Sequence, residues 1–355
     1  MTTPTPTDTG AAAAPPRPDF PHPLLPPEVE LSFEQTVPRA IAHRRQIGEV
    51  FVADSAQVGE DDFGLSFQVP RAHSLWSDQW DAYHDPFASA EAARQAIFVL
   101  LHRHVGVEVG LPFSLQRISF RIEDVEAYRN DHAWPLQGHL RYRVAGRRNR
   151  GSDVVGMTLE GAMEIGGRPA MTLTAELAFM SQQDYDVFRA FQRAQKPVAT
   201  ATTSPRRPLD PALVGRSNPQ NVVIGTPGDN TGGPDGHLLA ADRRHPAFFD
   251  HEYDHVPGPL IAEGLRQAAL VAACRAGAVP SPHAITVGCE AAFLDFGEFE
   301  ADLTCTATVG DPAADGRVPV EVGLHQFGKA MVTGRIDLLP DTRTSAHAHS
   351  HAHGV

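Results

Sequence analysis

Runs of alternating apolar and polar residues, bounded by glycine, proline or acidic turns, recur along the chain and predict antiparallel strands. They fall at 113–122, 139–146, 154–167 and 170–180, and again at 283–294, 300–310, 319–328 and 330–339. Short β-branched runs precede each set, EVFVADS at 49–55 and NVVIGTP at 221–227. Between each short run and its strands lies one Ala-rich segment that is apolar on most faces, which predicts a buried helix. The first helix starts after His84, with Asp85 placed to cap and Pro86 at the first helical position, and runs to Gly106. The second extends from about Pro257 to Gly277, a glycine suited to ending a helix.

The two sets are copies of each other. A shift of 172 residues pairs Arg44 with Arg216, His73 with His245, Asp78 with Asp250 and Glu91 with Glu263. It also pairs Arg94 with Arg266 and Gln95 with Gln267, and gives 13 identities over the 60 positions from 44 to 103. A period this long means a duplicated domain and not a solenoid. One buried helix followed by a run of antiparallel strands in each half is an α+β pattern in which a sheet wraps a helix. The expected fold is therefore a tandem, or double, hotdog with an internal pseudo-twofold axis. The expected organisation is a disordered Pro-rich leader at 1–28, a first repeat at 29–192, a linker at 193–210, a second repeat at 211–340 and a His-rich tail at 341–355.

Composition narrows the function classes. Lys+Arg is 30 and Asp+Glu is 43, so the net charge is 30 − 43 = −13, which opposes nucleic-acid binding. Three scattered cysteines, Cys274, Cys289 and Cys305, suit neither a disulfide framework nor a zinc site. No apolar run approaches a membrane span and the first residues hold no secretion leader, so a cytoplasmic protein without metal or membrane contact is expected. A fused pair already supplies what two hotdog chains gain by dimerising, leaving a monomer or a homodimer open.

The chemistry concentrates in HPAFFDHEYDHVPGPLIAEGLRQA, residues 245–268. This resembles hotdog thioester dehydratases, with His251 in their His position and Glu263 in their Glu position, although the segment between His251 and the Pro-Gly pair is about two residues shorter, which disfavours dehydration. A closer resemblance is carried by LSFEQTVPRAIAHRRQIGEVFVADS, PRAHSLWSD, the NVVIG strand and FFDHEYDHVPGPLIAEGLRQA, with the paired E-x-x-R-Q-A helices as its most specific part. On these the chain is similar to the A-factor biosynthesis (AfsA-type) hotdog proteins, from about residue 31 to 340. The resemblance implies an acyltransferase of γ-butyrolactone autoregulator biosynthesis. Its β-ketoacyl group would pass from acyl carrier protein to the hydroxyl of dihydroxyacetone phosphate. No bound cofactor is implied, because phosphopantetheine arrives on the carrier.

Such a transfer needs a base near the hydroxyl, donors for the thioester oxyanion and a cation for the phosphate. Spacing of i,i+3 places Glu91 with Arg94, and Glu263 with Arg266, on one helix face. Glu263 is the expected general base and Arg266 the expected ligand of phosphate or carbonyl oxygen, with Glu91 and Arg94 as the matching half of the cleft. Helix N-terminal amides near Gly258 would serve the oxyanion, and either His251 or His255 would assist proton transfer. His255, Gly258, Gln267 and Gln95 complete the expected substrate contacts. Against this stands a structural ion pair bridging two buried helices. His73 and His245 read as hydrogen-bonded loop residues, and the cysteines as core. Arg147, Arg148 and Arg150 read as a solvated turn, or as a dock for an acidic carrier protein. A thioesterase or dehydratase on the same fold, and a non-catalytic regulator binding an acyl ligand, are the alternatives.

Overall fold

A computed structural model of the chain describes residues 18–78, 82–151, 153–227 and 236–341. The first copy contributes β1 (Val52–Gly59), β2 (Asp62–Val69), α1 (Pro86–Leu100), β3 (Phe113–Ile122), β4 (Leu136–Arg150), β5 (Asp153–Ile165) and β6 (Arg168–Phe179). A second helix, α2 (Gln182–Ala194), and β7 (Arg206–Pro208) follow. The second copy contributes β8 (Ile224–Pro227), β9 (Gly236–Leu239), α3 (Gly258–Arg275), β10 (Ile285–Phe293), β11 (Thr304–Val309), β12 (Val318–Gln326) and β13 (Lys329–Leu339). These strands form one sheet in the order β1-β2-β4-β5-β6-β3-β10-β13-β12-β11-β9-β8-β7. Apart from β7, which adds to the outer edge of the second copy, the order reads outward alike from the β3–β10 pair, so the pseudo-twofold axis passes between those strands. There Ser119 pairs with Glu290 and Ile118 with Ala291. Each half wraps its own helix: α1 lies against β1 and β2, and α3 against β8, β9 and β11–β13. This is a tandem hotdog.

Local chemistry sets the helix limits. The Asp85 carboxylate accepts from the Phe87 amide at 2.9 Å, and Pro86 opens α1. A π turn over Leu101–Val105 extends it to Gly106, whose φ of 84° permits the exit. The α3 helix ends near Gly277 at φ 68°.

Three segments differ from the sequence expectation. Residues 18–28 belong to the fold: Leu24 is buried, its amide donates to Glu164, and its carbonyl accepts from Arg141. The boundary at 192/193 falls inside α2, and the expected linker carries Lys196 paired to Glu298, and β7 paired to β8. Most of the rest of the leader and the His-rich tail lie outside the described residues. Among those described, no helix is long and apolar enough to cross a membrane.

Candidate active site

Four residues, repeated in each copy, build two clusters of one design. In the first, the Glu91 carboxylate accepts from Arg94 Nε at 2.8 Å and Nη2 at 2.9 Å, from Gln95 Nε2 at 2.9 Å, and from Arg44. In the second, Glu263 accepts from Arg266 Nε at 2.9 Å and Nη2 at 2.7 Å, from Gln267 at 2.5 Å, and from Arg216 Nε at 3.1 Å. Gln95 and Gln267 bind the helix to the preceding strand, donating to the carbonyls of Glu49 and Asn221 and accepting from the amides of Phe51 and Val223. They are positioning residues and not substrate contacts. Arg44 and Arg216 carry no local sequence signal as site residues, because each sits 47 positions before its glutamate. Their signal was the repeat itself, which pairs them.

Each copy also braces the other. Asp250 accepts from the amides of Arg45 and Gln46 at 2.6 and 3.0 Å, and its counterpart Asp78 accepts from Ser217 and Asn218 at 3.3 and 3.0 Å. The segment before each helix is thereby fixed against the arginine loop of the other copy. His73 and His245 stiffen these segments through Nδ1, which accepts from the Leu75 and Trp76 amides in one case and from Phe248 in the other.

The clusters differ in what closes them. Over the second lie first-copy groups: Arg216 donates to the Leu75 carbonyl at 2.8 Å and meets Asp85 at 3.5 Å, while Arg266 lies over the Phe87 ring at 5.9 Å. The Glu263, Arg266 and Arg216 side chains are 0, 2 and 0% exposed. Two cations face two carboxylates, and the flanking guanidiniums hold the Glu263 carboxyl down at about 2 against the desolvation that would raise it. A sealed, acceptor-saturated carboxylate of that acidity cannot serve as the expected general base, and Arg266 cannot reach a phosphate. Glu263 and Arg266 are thus structural, which corrects their expected roles. Since Glu263 takes up its proton less readily folded than unfolded, its ionised form stabilises the fold at and above its unfolded pKa near 4.5. That contribution is lost as pH falls from 4.5 towards 2. A urea-unfolding midpoint that stays flat across this window would contradict the assignment.

At the first cluster the positions of Asp85 and Phe87 are taken by Pro257 and Pro259 of the second copy, which bring neither charge nor aromatic ring. Arg44 and Arg94 share the single carboxylate of Glu91 as ion-pair partner. Burial and the neighbouring Arg94 push Arg44 down to about 10, and its Nε is buried without a hydrogen-bond acceptor. The Arg94 side chain is 18% exposed. Asp250 of the second copy lies near enough to act on both guanidiniums, but Arg94 keeps an opening to solvent, and a guanidinium fork so placed is suited to an anionic group.

Histidines surround this cation. His43 occupies φ 53°, where the second copy has Gly215 at 66°, so a side chain is kept where glycine is the relaxed choice. Its ring stacks on Phe98 at 4.2 Å, and its Nε2 lies 2.7 Å from Nε2 of His102. His102 Nδ1 must donate to the Val107 carbonyl at 2.7 Å, which leaves its Nε2 to accept from His43 when both rings are neutral. Burial, then the charges of His102, Arg94, His251 and Arg44, push His43 down to about 3, so it stays neutral. From the second copy, His251 lies with Nδ1 3.6 Å from Asp250 and its ring 4.2 Å from Tyr253, its side chain 30% exposed. Arg94 and His251, one from each copy, both lie near enough to act electrostatically on His43.

His255 and Gly258 line a separate cavity of about 170 Å³ with Phe113, Phe293 and Phe296. His255 is held by Asp254 at 2.6 Å through Nδ1. Phe113 joins this cavity to the cation site, because its ring meets His43 at 5.2 Å and Phe98 at 5.2 Å. Burial pushes the Cys289 and Cys305 thiols up to about 12, which removes them as nucleophiles. Among the described residues no group of three His, Cys, Asp or Glu side chains is placed to hold a metal.

The model of the A-factor biosynthesis hotdog domain matches residues 27–181 and 198–340. A protein of Streptomyces coelicolor, 2-oxo-3-(phosphooxy)propyl 3-oxoalkanoate synthase, is 30% identical over 300 residues, which is 84% of this chain and 90% of that protein. The protein of the same name from Streptomyces virginiae is 33% identical over 234 residues, 66% of this chain and 76% of that protein. Among solved structures, the 12:0-ACP thioesterase from Umbellularia californica aligns with a TM-score of 0.45 and 12% identity over 81% of this chain and 100% of that chain.

Proposed function

Since this chain belongs to the A-factor biosynthesis hotdog family, we propose that it carries out the synthesis for which its Streptomyces relatives are named, at the first cluster on α1. The 3-oxoacyl group moves from the thioester of an acyl carrier protein to the hydroxyl of dihydroxyacetone phosphate. The observation that carries this reading is the unequal closure of the two clusters: Asp85 and Phe87 of the first copy seal the second, whereas at the first Arg94 keeps 18% of its side chain exposed to solvent. Arg94, backed by Arg44, binds the acceptor phosphate through its guanidinium fork. Glu91 aims that fork by holding Arg94 Nε and Nη2. The acyl chain lies in the cavity lined by Phe113, Phe293 and Phe296, with its carbonyl towards the α3 N-terminus at Gly258.

In the transfer the acceptor hydroxyl oxygen attacks the thioester carbonyl. His251 takes the hydroxyl proton, the C–O bond forms, the C–S bond breaks, and the proton passes to the departing thiolate. The products are an ester and a free thiol. Dehydration would need a carboxyl able to exchange a proton, and Glu91, tied by two guanidiniums and an amide, is poorly equipped for it.

The test is mass spectrometry of products from a 3-oxoacyl carrier protein with and without dihydroxyacetone phosphate. The phosphorylated ester is expected only with the acceptor, and equal thioester consumption in both samples would support hydrolysis instead. His251→Gln is expected to slow the transfer about 10²- to 10⁴-fold with the KM for the acceptor little changed. An unchanged kcat would remove His251 from the mechanism.

A further inference from the structure

The helix between the two copies is amphipathic in the reverse sense. Its polar face is turned inward: Tyr185 donates to Asp254 at 2.9 Å, and Arg189 donates to Asp254 at 2.8 Å and to Glu298 at 3.1 and 3.0 Å. Arg193 and Lys196 pair with the same fully buried Glu298. Val187 and Phe191 are 66 and 65% exposed, and Phe188 is 39% exposed. A surface helix ordinarily buries its apolar stripe, so α2 is anchored by charge while its apolar stripe is left facing out.

That stripe forms one wall of a groove of about 1080 Å³, whose other walls include Val105, Val154 and Phe179. Gln116 and Phe188 line both this groove and the 170 Å³ acyl cavity, so the two adjoin. Arg148 and Arg150 stand on the rim, with Asp153 and Asp184 beside them. Arg148 donates to the neutral amide of Gln116 and keeps its charge, while the 74%-exposed Arg150 meets Asp184 at 3.0 Å. Asp184 offsets Arg150, so the charge beside the exposed apolar stripe comes from Arg148, bonded to a neutral amide, and on a chain of net charge −13 this suits a partner that is partly apolar and carries carboxylates.

We propose that this groove docks the acyl carrier protein. Its apolar contact surface rests on Val187 and Phe191, and its carboxylates face Arg148 and Arg150. Its pantetheine arm enters past Phe188 into the acyl cavity. This rests on the carrier-bound thioester being the donor, as in the reading above.

The test compares wild type with Arg148→Glu/Arg150→Glu and with Val187→Ser/Phe191→Ser, using two donors: the 3-oxoacyl carrier protein and the 3-oxoacyl N-acetylcysteamine thioester. Each double variant is expected to raise KM for the carrier about tenfold or more, with kinetics on the small thioester unchanged. An unchanged KM for the carrier overturns the proposal. So does an equal loss with both donors, which would make the groove part of the acyl channel. Conversion of a dimer to a monomer with carrier kinetics intact also overturns it, since a second copy would then be the occupant. Wild type that uses the small thioester but not the carrier removes the docking while leaving the transfer standing. Wild type that transfers from neither donor removes the transfer itself.

Discussion

Glu263→Gln is expected to cost about 3–5 kcal/mol of folding stability, because it strands buried guanidiniums without relieving their burial. Glutamine offers one carbonyl oxygen and no charge to Arg216 and Arg266, whose side chains are 0 and 2% exposed. Arg216 keeps only the more distant Asp85, at 3.5 Å, as an ion-pair partner. Against a typical total of about 5–15 kcal/mol, the loss is large enough to show in yield as well as in a denaturation curve. Glu91→Gln is the matched control. There Arg94 reaches water while Arg44, its side chain 2% exposed, still loses its carboxylate, so one guanidinium is stranded instead of two and a smaller cost of about 2–3 kcal/mol is expected. Urea unfolding of the two variants decides between the readings. Equal losses would contradict the division of the two clusters into a sealed brace and an open site.

Arg94→Ala is expected to lower acceptor-dependent transfer about 10²- to 10³-fold while leaving the fold close to wild type. The stability follows from charge: without Arg94, Glu91 still pairs with Arg44, one cation to one carboxylate. The activity loss follows from the missing fork at the phosphate. Arg94→Lys restores a point charge but not the two-pronged geometry, so it is expected to recover part of the rate. Steady-state kinetics with circular dichroism checks both halves. An Arg94→Ala enzyme with wild-type kcat/KM would move the anion site elsewhere.

Much of this architecture is legible in the sequence because strand alternation and helix composition are local properties. The strand at Phe113–Ile122 and the entry to α1 at Asp85 and Pro86 are written in neighbouring residues. The α2 helix is not legible in that way. Its polar stripe is the buried one, stabilised by Asp254 and Glu298 far along the chain, so periodicity points its faces the wrong way. The E-x-x-R-Q motifs are visible, but their division of labour is not. It depends on what the other copy places above each motif, and Asp85 and Phe87 are replaced there by two prolines with no mark on the motif itself. His43 could have been found from the repeat alone, as a histidine aligned with Gly215.

The account rests on Arg94 being kept for the acceptor phosphate. The direct measurement is kcat/KM for wild type and Arg94→Ala with dihydroxyacetone phosphate and with dihydroxyacetone, a cycle that isolates the coupling of guanidinium to phosphate. Removing the phosphate is expected to cost wild type about 10²-fold and the variant little. If the loss of the phosphate costs both enzymes the same factor, Arg94 does not bind it and the site assignment fails.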